Sequence, residues 1–151
     1  MSAFAADELR LLATAAQSRF TVDSDASGGD PAGYDARVEA SRRVLGWAAA
    51  AFGSDITVAS SMGDEVLVHL VGETIPGAEV TFIDTGLHFP ETLGTRDAYA
   101  ANGTIALRTI TPLLTVAEQV QRFGPELYAR DPDQCCALRK VEPLERGLQG
   151  R

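Results

Sequence analysis

The chain's hydrophobic and polar positions follow two periods in turn. Ile56, Thr57, Val58 and Ala59 form a short β-compatible run that breaks at Ser60-Ser61-Met62-Gly63. Val66, Leu67, Leu70 and Val71 then recur at helical spacing, with Asp64 and Glu65 at their start. The segment Ile56–Gly72 therefore predicts strand, tight turn, helix. After a Pro76-Gly77 turn, Glu79–Ile83 (EVTFI) predicts a second strand, ending in Asp84-Thr85-Gly86. Pro90 and Glu91 open a predicted helix to about Ala101, and Asn102-Gly103 turns the chain into a third strand, Thr104–Ile110. Thr115 and Glu118 make a T-x-x-E capping box for a helix through Phe123, which Gly124-Pro125 interrupts. Asp131–Gln149 reads as helical again, with Pro143 as an internal break.

Upstream of the first strand the pattern is helical. Phe4, Leu9, Leu12, Ala13 and Ala16 share one face of a predicted helix over Ala3–Phe20. Val22–Gly33 (VDSDASGGDPAG) reads as a flexible acidic linker. Tyr34–Gly53 predicts a second helix with Val38, Val44, Leu45, Ala48 and Phe52 inward, Arg37, Arg42 and Arg43 outward, and Gly53 as C-cap. The chain thus divides into an N-terminal helix and linker, residues 1–33, and a domain over 34–151. Two helices followed by β-α-β-α-β-α, with no internal repeat, predict an α/β fold: a parallel sheet with helices on both faces. Three strands make a small sheet, and further strands are expected beyond Arg151.

Composition narrows the function. The 151 residues suffice for one domain with a core. No apolar run is long enough to span a bilayer, and the N-terminus reads as an amphipathic helix, not a secretory leader, so a cytoplasmic protein is expected. A net charge of −8 argues against a nucleic-acid binder. The charge is uneven: residues 1–100 hold 6 Lys/Arg against 15 Asp/Glu, whereas residues 101–151 hold 7 against 6. Lys140 is the sole lysine among 13 basic residues. An anionic ligand would find its cations late in the chain.

Three stretches carry candidate chemistry. A turn such as Ser60–Asp64, before a helix N-terminus, offers backbone N–H groups and two hydroxyls to a phosphate or sulfate. An ordinary strand–turn–helix is the plain alternative. Asp84, Thr85, Gly86 and His88 stand at the carboxyl edge of the sheet, where open α/β sheets place ligands, or else form a simple strand-end turn. His69, Met62 and Trp47 read as structural. The two cysteines, Cys135 and Cys136, are adjacent, which is no secreted disulfide framework. They are either packed thiols, a vicinal disulfide, or half of a soft-metal site. Arg139 and Lys140 follow one helical turn later, with Cys136 and Lys140 at i and i+4. Cations there stabilise thiolates and reach an anion; the plain alternative is a solvated basic turn, with Glu142 and Glu145 close enough to pair with them.

Together the motifs S-S-M-G-D, F-I-D-T-G-L-H-F-P-E-T and D-P-D-Q-C-C-A-L-R-K-V-E-P-L resemble the sulfonucleotide reductases, specifically the assimilatory adenylyl-sulfate reductases of bacteria, over about residues 35 to 148. The last block is the most specific. The resemblance implies an adenine nucleotide alpha hydrolase-like (PP-loop) fold. Ser60, Ser61, Met62, Gly63 and Asp64 would hold the nucleotide, and Asp84, Thr85, Gly86, His88 and Arg139 would line its pocket. Cys135 and Cys136 would ligate two irons of a four-iron four-sulfur cluster, with Lys140 linking cluster and sulfate electrostatically. In such enzymes a cysteine attacks the sulfate sulfur of adenosine 5′-phosphosulfate, AMP leaves, and thioredoxin releases sulfite from the S-sulfocysteine. The implied partners are that substrate and thioredoxin, with a homo-oligomer allowed and no nucleic acid or membrane.

The family's second pair, C-x-x-C, and its E-C-G-L-H segment with the nucleophile are absent from these residues. The expectation is an N-terminal part of a reductase, inactive alone. The alternatives are a 3′-phosphoadenylyl-sulfate reductase, which usually lacks the cysteine pair; an ATP pyrophosphatase, whose S-G-G-x-D-S loop is altered here at Ser61, Met62 and Glu65; and a non-catalytic nucleotide-binding fragment.

Overall fold

The structure is a computed structural model that describes residues 5–20 and 31–149. Phe4 and residues 21–30, most of the expected linker, lie outside the described residues. Helix α1 spans Ala6–Arg19 and α2 spans Pro31–Phe52. Helix α2 thus begins before the expected boundary at residue 34, with proline at its first position, where its fixed φ and missing N–H cost nothing. Gly53 (φ +56°) ends α2 and opens a short 3-10 turn, Gly53–Asp55.

Three strands follow: β1 Val58–Ala59, β2 Glu79–Ile83 and β3 Ala106–Ile110, parallel and in the order β1-β2-β3. Val58 pairs with Val80 and Ala59 with Thr81; Glu79 through Ile83 pair with Ala106 through Ile110. The expected starts at Ile56 and Thr104 are both too early. Thr57 is held through its hydroxyl, 2.8 Å from that of Thr81, and Thr104 is bound into a turn by Asn102 Oδ1.

Side chains alternate across a strand, and residues in register share a face. Val80, Phe82 and Leu107 therefore point to one side, where they pack with Met62, Val68, Val71, Tyr99 and Ile105 into the core. Val68 and Val71 come from α3 (Val66–Thr74) and Tyr99 from α4 (Pro90–Asn102). Ile110 points to the other side. There it meets α8 (Glu142–Leu148), so helices cover both faces, as expected. Between them run α5 (Val116–Phe123), α6 (Leu127–Arg130) and α7 (Pro132–Cys136).

Two helical expectations are corrected. Helix α3 starts at Val66, not at Asp64, and its buried face is Val68, Leu70, Val71 and Gly72. Val66 and Leu67 are exposed and line a surface groove with Phe20, Val44 and Leu45. Leu70 and Val71 face inward as expected, and Val68 and Gly72 take the places expected of Val66 and Leu67. Pro143 does not break the last helix. Helix α7 continues through a wide π turn, Ala137–Val141, into α8, and Pro143 is fully buried at its start. Among the described residues no helix is long and apolar enough to cross a membrane.

Candidate functional site

Parallel strands in order β1-β2-β3 bring their carboxyl ends to one edge, so the segments after Ala59, Ile83 and Ile110 lie side by side. The first is the serine turn. Ser60 N–H donates to Thr81 O at 3.0 Å, extending the ladder by one bond. Ser60 Oγ then accepts from Met62 N–H (3.2 Å), Ser61 Oγ from Gly63 N–H (3.4 Å) and Asp64 Oδ1 from Val66 N–H (3.1 Å). The amides expected to cradle an anion thus lean on their own neighbours' side chains, leaving the two serine hydroxyl protons to donate. Met62 takes a left-handed φ of +55° and sends its side chain into the core. It can offer a ligand only its backbone.

The second segment is tied down from several sides. Asp84 accepts from Gly86 N–H at 3.0 Å and pairs with Arg96 of α4 at 3.1 Å, so it organises the loop. Thr85, 6 % exposed, accepts from Leu87 N–H and keeps its hydroxyl proton to donate. His88 lies over Phe82, ring centres 4.8 Å apart, and its Nε2 is 2.9 Å from Ile83 O. A carbonyl only accepts, so Nε2 carries the proton, and in the neutral ring Nδ1 is left as an acceptor. Gly86 (φ +71°) passes close to Val116 and Arg139; an added Cβ would lie 3.1 Å from Val116 Cγ2.

The third part comes from the last helix. Asp131 caps it by accepting from Gln134 N–H at 2.9 Å, and Pro132 opens it. Cys135 is buried and Cys136 exposed, and neither is in a disulfide. Arg139, 3 % exposed, aims Nη1 and Nη2 at Leu114 O (3.0 and 3.3 Å), and its buried Nε has no partner. It therefore ties the last helix to the segment after β3. Among the described residues Lys140 has no ion-pair partner. Glu142 pairs instead with Arg146 at 2.8 Å, so it does not pair with Lys140, and Lys140 is exposed, as a solvated basic turn would also have it.

These parts meet in one cavity of about 310 Å³, lined by Thr85, Leu87, His88, Tyr128, Cys135, Cys136, Arg139 and Lys140. A second cavity shares Thr85 and Arg139 and runs along Asp84, Gly86 and the Thr111–Val116 segment. The structure thus joins the D-T-G-L-H and C-C-A-L-R-K segments. Ser60, Ser61 and Gly63 stand at the same sheet edge but outside that cavity, and Asp64 lines the apolar groove beside α2. His69, expected to be structural, is exposed on α3 and 3.4 Å from Glu73. Sequence reading missed Tyr128, an aromatic on a four-residue helix without periodicity, and the Leu114 carbonyl, which no side-chain pattern can announce. No group of three or more His, Cys, Asp or Glu residues able to hold a metal ion occurs among the described residues. The cavity offers two soft sulfur donors with two cations beside them, which suits part of the donor set of an iron–sulfur cluster.

Residues 55–151 match the phosphoadenosine phosphosulfate reductase domain. The chain is 48% identical over 137 residues to an adenosine 5′-phosphosulfate reductase of Streptomyces coelicolor, covering 91% of this chain and 58% of that protein. It is 49% identical over 107 residues to an adenosine 5′-phosphosulfate reductase of Mycolicibacterium smegmatis, covering 71% and 45%. The chain therefore spans about half the length of the curated relatives it matches. A crystal structure of phosphoadenylyl-sulfate reductase from Candida auris, a phosphate complex, superposes with a TM-score of 0.56 at 26% identity, over 80% of this chain and 63% of that one. A sheet edge that gathers these motifs, in a chain matched over its whole strand-bearing part, makes the assignment direct: the chain belongs to the phosphoadenosine phosphosulfate reductase domain family.

Proposed function

We propose that this chain is the nucleotide-binding part of a reductase that converts adenosine 5′-phosphosulfate to sulfite and AMP, with thioredoxin as electron donor, in sulfate assimilation. The observation that carries the reading is the shared cavity: Thr85, His88, Arg139 and Lys140 line the same space as two adjacent thiols. A sulfate ester needs donors and positive charge around its oxygens. Thr85 has a hydroxyl proton to give, and Lys140 brings an ammonium group with no carboxylate partner among the described residues. Preorganised donors and charge of this kind favour a bound anion. Arg139 adds charge but spends two donors on Leu114 O, so its main task is to hold the two edge segments together. The serine turn would take the nucleotide phosphate through Ser60 and Ser61.

Cys135 and Cys136 would hold two irons of a four-iron four-sulfur cluster, whose other ligands are not among these residues. Such a cluster, when bound, would supply charge beside the sulfate rather than grip the nucleotide. The curated relatives' names favour the substrate without a 3′-phosphate.

Titration calorimetry of the chain tests the reading with adenosine 5′-phosphosulfate, its 3′-phosphorylated form and ATP. Binding is expected for the first and weaker binding for the second. Preference for the 3′-phosphorylated nucleotide, or pyrophosphate release from ATP, would overturn it.

A further inference from the structure

The helix that carries the cysteines buries one residue in four. From Pro132 to Leu148 the buried residues are Cys135, Arg139, Pro143 and Gly147, and all others are at least partly exposed. An α-helix turns about 100° per residue, so positions four apart drift by about 40° at each step, and by about 120° from Cys135 to Gly147. An unbroken α-helix would carry Cys135 away from the face that Gly147 turns to the sheet.

The drift is taken up by the π turn over Ala137–Val141. At its end Glu142 N–H reaches back five residues to Ala137 O. One extra residue in this turn brings the run to about four residues per turn, and the four buried positions line up. The sequence also supplies a reason for its location. In a regular α-helix the ring of Pro143 would clash with the carbonyl of Arg139, four residues back, and would leave that carbonyl without a donor. Widening the preceding turn moves the carbonyl aside.

The helix cannot relieve the mismatch by turning as a whole, because both ends are fixed. At one end a Cβ on Gly147 would lie 2.1 Å from Ile110 Cδ1, Arg108 donates to Gly147 O at 2.8 Å, and Arg146 donates to Thr111 O at 2.7 Å. At the other, Asp131 caps the first turn and Arg139 reaches Leu114 O.

We propose that Pro143 is a positioning residue: it enforces the π turn, and the π turn sets the angle at which Cys135 and Arg139 face the cavity relative to the part of the helix docked on β3. This rests on the reductase reading only for what the thiols are used for; the geometry stands without it.

Differential alkylation of the 151-residue chain with iodoacetamide, read by peptide mass, tests the proposal. In the native chain exposed Cys136 labels ahead of buried Cys135. In Pro143→Ala the turn rewinds to α and the preference for Cys136 is lost, while far-UV circular dichroism and cooperative melting persist. Deleting Val141 in the Pro143→Ala background removes the extra residue, realigns the buried positions and restores the preference. A deletion rescues in this way only if register is the variable. Native labelling order in folded Pro143→Ala overturns the proposal. So does a double variant no more native in labelling than Pro143→Ala, which would mean that the proline merely packs. No nucleotide enters the experiment, so either result leaves the substrate reading to its own titration.

Discussion

Lys140 is where one atom's charge decides most. Its ammonium group stands in the cavity without a carboxylate partner among the described residues, whereas Arg139 next to it is committed to Leu114 O. Lys140→Gln removes the charge and keeps much of the length. Its affinity for adenosine 5′-phosphosulfate is expected to fall about tenfold by calorimetry, with an unchanged melting temperature, and the native chain's affinity should weaken with salt while the variant's does so less. Glu118 shows the opposite sign of charge at work. The Thr115 backbone N–H and then its hydroxyl donate to the Glu118 carboxylate, both at 2.8 Å, and hold its pKa below the ordinary glutamate range. A lowered folded pKa means that the unfolded chain binds more protons, so this stabilisation is present above the unfolded value and fades as pH falls through the folded one. Thermal melts from neutral to acid pH should therefore show a gap between the native chain and Glu118→Gln that closes in acid. A gap that stays constant would remove the capping box as its source.

At the scale of elements, the sheet edge depends on how closely helices approach it. The glycine at 147 leaves α8 against Ile110 with no space for a methyl group. Gly147→Ala is expected to cost about 1–3 kcal/mol in urea denaturation as Ile110 leaves its rotamer or α8 lifts. Elements with a strong local signal were legible in the sequence. The EVTFI strand, the Thr115–Glu118 box, the Gly124-Pro125 stop and the Asp131-Pro132 start all stand where their residues indicate, because each rests on chemistry within a few positions. The site was half legible for the same reason: D-T-G-L-H follows a predicted strand and C-C-A-L-R-K lies in the first turns of a predicted helix, and the two share a cavity. Features set by distant partners were not. Val66 and Leu67 look inward by spacing, yet they lie exposed in the groove beside α2, while Val68 and Gly72 fill the buried face with Leu70 and Val71. Pro143 reads as a break because a sequence does not show that the turn before it will widen.

For the whole molecule, the unequal spread of charge matches the fold. The acidic first 100 residues supply most of the core and the first two edge segments, and the more basic remainder delivers Arg139 and Lys140 to the second of them. The sheet is uneven too. Strands β2 and β3 share five registered pairs, while β1 shares two with β2, supplemented by the Thr57–Thr81 hydroxyl contact and one bond from Ser60. Protection against deuterium uptake should follow that order, with amides of Ser60–Asp64 exchanging before those of Thr85–His88. The serine turn is then the pliant stretch of an otherwise stiff sheet edge. Under the proposed reading a nucleotide arriving there would mould the serines around itself, and discrimination among sulfated nucleotides would fall to the segments that do not give.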